Sequence, residues 1–282
     1  MTAGTIADAA PTVEPGRSVT AKVLAMLAAF TAEEPELTLS QLARRARLSL
    51  PTAHRRAAEL VEWGALERDA RGRYRIGLRL WEVASLAPRG VGLRDAAMPF
   101  LEDLYEVTHE NVQLAVREGA EIVYVERIAG LHAVPVWTRV GGRFAMHATG
   151  VGLVLLAHAP ASVQQEVLGL PLRRFTDRTV TDPKALRRIL ADIRRLGYAV
   201  SDGQVTLDAL SVAAPIFDPD GEVVAAVSLV VRADGAQPAA LAPLVQTAAR
   251  GITRASRVTA AGRPVMRSPP RPVPAQRPGS AR

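Results

Sequence analysis

The sequence predicts an α+β protein, with an N-terminal winged helix-turn-helix joined by a linker helix to a larger mixed α/β domain. Three observations carry this reading. Helical periodicities ending in a glycine-tipped hairpin occupy residues 18–77. Hairpin-joined strands alternate with helices through residues 93–260. Basic charge is concentrated in the first region: residues 38–80 hold ten arginines against four acids, whereas residues 93–260 hold 17 basic and 18 acidic residues.

Residues 1–17 are small, contain Pro and Thr, and lack periodicity, so they read as a disordered arm. Val19, Val23, Leu24, Leu27 and Phe30 then form one helical stripe. Residues 33–36 make a polar break before a short helix over 38–46. A four-residue connection, 47–50, leads into a third helix over 51–63, with Ser49 as N-cap and Pro51 in the first turn, where amides lack intrahelical acceptors. Gly64 ends that helix as a left-handed cap. Extended stretches at 66–68 and 73–76 flank a turn with Gly72 near its tip. A linker helix over 78–86 ends before Pro88, within a linker region 78–92. In the second region, helices are expected at 94–107, 147–157, 183–196 and 238–257, and strands at 112–117, 122–127, 134–139, 210–217 and 222–232. Asp218-Pro219-Asp220-Gly221 is a hairpin turn, and this arrangement predicts helices on one side of the sheet. Residues 261–282 hold five arginines and no acid among Pro, Ser and Gly, which predicts a disordered basic tail touching DNA non-specifically.

Composition narrows the function. A chain of 282 residues with 48% hydrophobic content fits one large or two modest domains with a real core. Zero cysteines exclude disulfides, thiolate zinc sites and a cysteine nucleophile. No apolar run reaches about 18 residues and no basic flank precedes an apolar start, so a cytoplasmic protein without membrane contact is expected. His54, His109, His132, His147 and His158 show no metal spacing, and no metal or other cofactor is implied. The sequence carries no Gly-x-Ser-x-Gly elbow, Walker loop or Rossmann fingerprint, and an enzyme is not expected. The net charge of +7 sits in one compact segment and one tail, the footprint of polyanion binding. The bland alternative is a solvated, arginine-rich surface.

A helix-turn-helix lays its second helix in the major groove, which here presents Thr52, His54 and Arg55 to base edges. Arg55 is the specificity candidate, because a guanidinium bonds bidentately to guanine. Arg44 and Arg45 on the preceding helix, with Arg71 and Arg73 in the wing, suit phosphate contacts. Arg55 has a competing reading as a solvated helix arginine.

Thr38-Leu39-Ser40-Gln41-Leu42-Ala43-Arg44-Arg45, Thr52-Ala53-His54-Arg55 and Tyr74-Arg75-Ile76-Gly77-Leu78-Arg79-Leu80 resemble the head of the IclR family of bacterial transcriptional regulators. Val134-Pro135-Val136, Arg139-Val140-Gly141-Gly142-Arg143, His147-Ala148-Thr149-Gly150-Val151-Gly152, Gly197-Tyr198-Ala199-Val200 and Val212-Ala213-Ala214-Pro215-Ile216 follow in the family's order. The resemblance spans roughly residues 18–257. Departures are specific. Arg47 stands where the family has glycine in the bend, and Arg56 where an apolar residue is common. Ala145-Met146 replaces Pro-Leu, and Leu153 replaces a lysine. Ser211 stands for the usual cysteine, and Val230 for a second serine of some members.

The resemblance implies a GAF-like effector-binding domain and DNA affinity set by a small molecule, an organic acid or aromatic compound. By the same resemblance the pocket would be lined by Gly150, Val151, Asp202 (or its neighbour Ser201), Ser211 and Ser228. A local argument supports it: a helix opening at 147–150 offers free amides at its positive end, and Gly150 permits close approach. Ordinary readings compete, with the serines as satisfied strand residues and Asp202 as a turn cap. The family also implies a homodimer on a double-stranded, pseudopalindromic operator, formed through the heads and linker residues Leu78, Leu80 and Trp81, with tetramers also common. Rival readings are a small-acid-metabolising enzyme with a basic head, and a DNA-binding protein without a working sensor.

Overall fold

The computed structural model describes residues 16–87, 91–131 and 133–262. The chain divides into two units, Met1–Val91 and Gly92–Arg282. The expected disordered arm and basic tail lie almost wholly outside the described residues. At the arm's end, Arg17 donates to the Ala46 carbonyl at 2.9 Å.

In the first unit, α1 (Val19–Leu27), α2 (Leu39–Ala46) and α3 (Leu50–Trp63) bury Met26, Leu42, Ala53 and Ala57 against one another. Thr38 and Gln41 form a complete capping box at the start of α2. Ser49 occupies the N-cap position of α3, but its hydroxyl donates to Thr52 Oγ1 at 2.9 Å instead of accepting from an amide. The bend between α2 and α3 falls on Arg47, which is left-handed at φ 54° and ψ 48°. There the Leu48 amide reaches back to the Ala43 carbonyl at 2.9 Å, and Leu48 is buried beneath. Gly64 closes α3 in the same left-handed way.

The polar break expected at 33–36 is in part a strand. β1 (Glu36–Leu37) pairs with β3 (Tyr74–Ile76), which pairs with β2 (Leu66–Arg68), so the wing is a three-stranded sheet. Leu37 is fully buried, and this anchor draws a two-residue edge strand out of a charged segment. At the wing tip, Asp69 Oδ1 accepts from the Arg71 and Arg73 amides. α4 (Leu78–Ala84) follows, with Leu80 turned into the head's core and Leu78 and Trp81 exposed.

The second unit is built on a six-stranded antiparallel sheet in the order β6-β5-β4-β9-β8-β7. Its strands are β4 (Asn111–Glu118), β5 (Glu121–Ile128), β6 (Arg143–Ala145), β7 (Ala199–Asp202), β8 (Ala209–Phe217) and β9 (Val223–Arg232). The helices are α5 (Leu93–Thr108), α6 (Gly150–Ala157), α7 (Ala161–Gly169), α8 (Pro183–Leu196) and α9 (Pro238–Gly262). They cover both faces of the sheet, not one. Leu210, Val212 and Val227 pack with α5 and α9, while Ala213, Ala226 and Tyr124 pack with α6 and α8. Strands apolar on both sides require this, because either bare face would expose core.

Two further expectations change. The helix expected over 147–157 begins only at Gly150, with Thr149 as N-cap, and all eight of its residues are buried. Residues 134–139 are not a strand. Pro135 has no amide for a ladder, and side chains hold this backbone instead: Asn111 Nδ2 donates to the Val134 carbonyl at 2.8 Å and Arg127 Nη1 to the Thr138 carbonyl at 2.9 Å. Val134 packs on Ala209 and Val230, so the segment lies across the α6 side of the sheet. β6, β7 and α7 are elements that sequence periodicity does not mark.

Candidate functional site

On the head, α3 turns Ala53 and Ala57 inward and exposes His54 and Arg55 between them. Thr52 is half-buried. Arg44 is exposed on α2 and Arg71 at the wing tip. Arg45 and Arg73 are engaged elsewhere. Arg45 donates to the Ala29 carbonyl at 3.0 Å and pairs with Glu34. Arg73 donates to the Glu36 carbonyl at 3.3 Å and lies 3.5 Å from the Glu36 carboxylate, pinning the wing to β1. Arg56 pairs with Glu59 along the helix, so its stem lies down on the head and only 16% of the side chain is exposed.

In the second unit, a small pocket of about 50 Å³ opens between the start of α6 and the sheet, beneath residues 136–138. It is large enough for water or part of a small ligand. Gly150 and Ser211 line it together with Gln113, Tyr124, Thr138 and Gln204. Among the described residues lining it, none carries a charge. A Cβ at Gly150 would stand 2.5 Å from Ser211 Oγ, so glycine is what lets the helix end approach β8. At Gly152 the obstacle is the Met146 carbonyl, 2.4 Å from such a Cβ.

Hydrogen bonds fix the walls. The Thr149 hydroxyl accepts from the Gly152 amide at 3.1 Å, answering one amide of the helix end. The buried Tyr124 phenol lines the pocket with Thr149, and burial pushes its ionisation far above the ordinary range, so it stays a neutral hydroxyl. Gln113 Nε2 donates to Thr138 Oγ1 at 2.7 Å, tying the cover to β4. Ser201 Oγ donates to the Ala148 carbonyl at 2.8 Å.

The other residues named from sequence lie outside this wall. Val151 points into the α6–α8 core. Asp202 is on the surface, 3.0 Å from Arg178. Ser228 pairs across the sheet with Gln113 and Ala213, is fully buried, and has no hydrogen-bond partner for its hydroxyl. It shares the α6 face of the sheet with Gln113 and Val230 but is not among the residues that line the pocket.

Residues 19–70 match the IclR helix-turn-helix domain, and residues 87–254 match the C-terminal domain of the bacterial transcriptional regulator IclR. The chain belongs to the IclR family. It is 34% identical over 222 residues to the HTH-type transcriptional regulator BhcR of Paracoccus denitrificans, covering 77% of this chain and 80% of that one. It is 33% identical over 210 residues to KipR of Bacillus subtilis, covering 74% and 83%. Among solved structures, an IclR homologue from Microbacterium hydrocarbonoxydans, crystallised with 4-hydroxybenzoate, is similar at 40% identity and TM-score 0.82, covering 85% of this chain and 99% of that one. This chain is therefore an IclR-type transcription regulator, with a DNA-binding head and a C-terminal effector-binding domain.

Sequence reasoning on this IclR chain missed Gln113, Tyr124, Thr138 and Gln204. Gln113 did leave a signal, as a lone amide inside the apolar run Val112–Val116. Thr138 and Gln204 left none, since loops bring them in.

Proposed function

We propose that this regulator binds its operator as a homodimer in the cytoplasm and releases or grips it when the carboxylate end of a small acid, aromatic or aliphatic, enters the pocket at the start of α6. The observation that carries this is the uncharged, hydrogen-bonding wall around the amide end of an α-helix. A single carboxylate finds its counter-charge there in the helix terminus, and a ring or chain lies against Tyr124 and Val230. The relative crystallised with 4-hydroxybenzoate supports the aromatic case. On the head, Arg55, His54 and Thr52 read bases, and Arg44 and Arg71 hold phosphates. Arg45 and Arg73 serve the head's own packing first and meet DNA only by loosening those bonds. Gly150 and Ser211 meet the ligand, Val151 and Ser228 act only indirectly, and Asp202 does not touch it.

Calorimetric titration with 4-hydroxybenzoate and smaller organic acids, followed by operator binding with and without each, tests the reading. The leading acid binds and shifts operator affinity by about 1–3 kcal/mol of coupling. Ser211→Leu fills the pocket and abolishes both effects while apo operator binding persists. An acid that binds Ser211→Leu and wild type equally overturns the assignment. An acid consumed during prolonged incubation would favour the enzyme reading.

A further inference from the structure

A second, wider concavity lies on the other side of the 137–138 cover. It measures about 500 Å³ and shares Tyr124, Trp137, Thr138 and Val205 with the effector pocket. Its character is the opposite of the inner one. Four arginines line it: Arg139 and Arg143 from the loop and start of β6, and Arg173 and Arg174 from the segment after α7. All four are exposed. Among the described residues only Arg143 has a carboxylate, Glu121, at 3.4 Å across two exposed side chains. Arg174 spends its donors on the Thr181 hydroxyl and the Asp177 carbonyl. Arg139 and Arg173 have no acidic partner among the described residues.

Aromatic planes stand between these cations. Phe144 and Phe175 stack at 5.0 Å, and the Arg173 guanidinium lies 4.8 Å over the Phe175 ring. Trp137, 82% exposed, forms part of the rim. Folding alone does not favour an indole in water beside like charges collected in one hollow. A ligand with a flat ring and several negative groups satisfies both at once, since guanidiniums bond carboxylates in fork geometry and stack on aromatic faces.

We propose that this outer groove is a second ligand site of the effector domain, selective for aromatic anions carrying two or more negative charges. Arg139 and Arg173 supply the counter-charge, Trp137 supplies the stacking surface, and Phe175, beneath the Arg173 guanidinium, holds that cation in place. The inner pocket, with no cation in its described wall, takes a singly charged acid, so the two sites differ in the charge they accept. Because Trp137 and Thr138 border both, binding in the groove also bears on how the inner pocket is covered.

The test uses trimesate as a trianion and benzoate as its monoanionic control, read by calorimetry on the full chain and by fluorescence of a variant retaining only Trp137. Trimesate binds at least about tenfold more tightly than benzoate, quenches Trp137, and weakens as salt rises from about 0.05 M to about 0.5 M. Arg139→Gln/Arg173→Gln, both exposed positions, loses at least about tenfold in trimesate affinity, and Ser211→Leu keeps it. If the double variant fails to fold, Arg139→Gln alone shows a smaller loss in the same direction. Absence of trimesate binding to wild type at millimolar concentration, equal binding by the arginine variants, or loss in Ser211→Leu with retention in the arginine variants overturns the proposal. Because Ser211→Leu separates the sites, failure of the groove leaves the inner-pocket reading standing, and the reverse.

Discussion

Arg47 holds a backbone conformation that suits glycine. The left-handed region brings its Cβ against its own chain, costing an L-residue about 1–2 kcal/mol, yet the bend from α2 to α3 requires it. The Leu48 amide bond to Ala43 and the burial of Leu48 hold the residue there. Arg47→Gly therefore raises the stability of the head by about 1 kcal/mol, less glycine's extra chain entropy when unfolded. A higher thermal midpoint for the head, with operator affinity measured alongside, is the expected result. An unchanged or lower midpoint would mean that the arginine side chain contributes more than the bend costs. This position was legible in sequence as a departure from glycine. The engagement of Arg45 and Arg73 was not, because their partners Glu34 and Glu36 sit in a segment that periodicity marks only as a break.

The segment between α7 and α8 depends on one imidazole. His147 is buried, and its Nε2–H donates to the Arg173 carbonyl at 2.9 Å, with Phe175 beside the ring. Burial lowers its proton affinity below the ordinary histidine value, and the carbonyl bond offsets this only in part. The unfolded chain then binds the proton more readily than the folded one. His147 contributes stability that is complete above the unfolded value near pH 6.5 and is lost as pH falls toward the folded one. Glu110 works in the opposite sense, since burial raises its carboxyl and favours the folded state at lower pH. Comparing urea midpoints of wild type and His147→Asn between about pH 7.5 and about pH 5.5 isolates the histidine. Wild type loses more on acidification than the variant, and parallel losses would place the sensitivity elsewhere. Elements with strong periodicity, such as α8 at Pro183–Leu196, were legible to the residue. The cover at 134–138 was not, because Val-Pro-Val looks extended and only the distant Asn111 and Arg127 decide that it lies across the sheet.

Leu78 and Trp81 on α4 are 65% and 63% exposed and three residues apart, so they share one helix face outside the head's own core. The homodimer proposed above, if formed through this face, covers them. Leu78→Ser/Trp81→Ser then gives monomer in light scattering at micromolar protein and weakens operator binding while phosphate-driven non-specific binding persists. A double variant that stays dimeric would place the interface elsewhere. The two-unit architecture was legible from charge alone, as a basic head before a neutral block. The two-sided sheet was not, because helix order does not say which face a helix covers. That sheet has a consequence for how such regulators diversify. Along β8, Ser211 and Ala213 face α6 and its pocket, while Leu210 and Val212 face α5 and α9. One strand thus carries two inheritances: alternate positions can drift toward a new chemical signal generation after generation, while their immediate neighbours keep the fold unchanged.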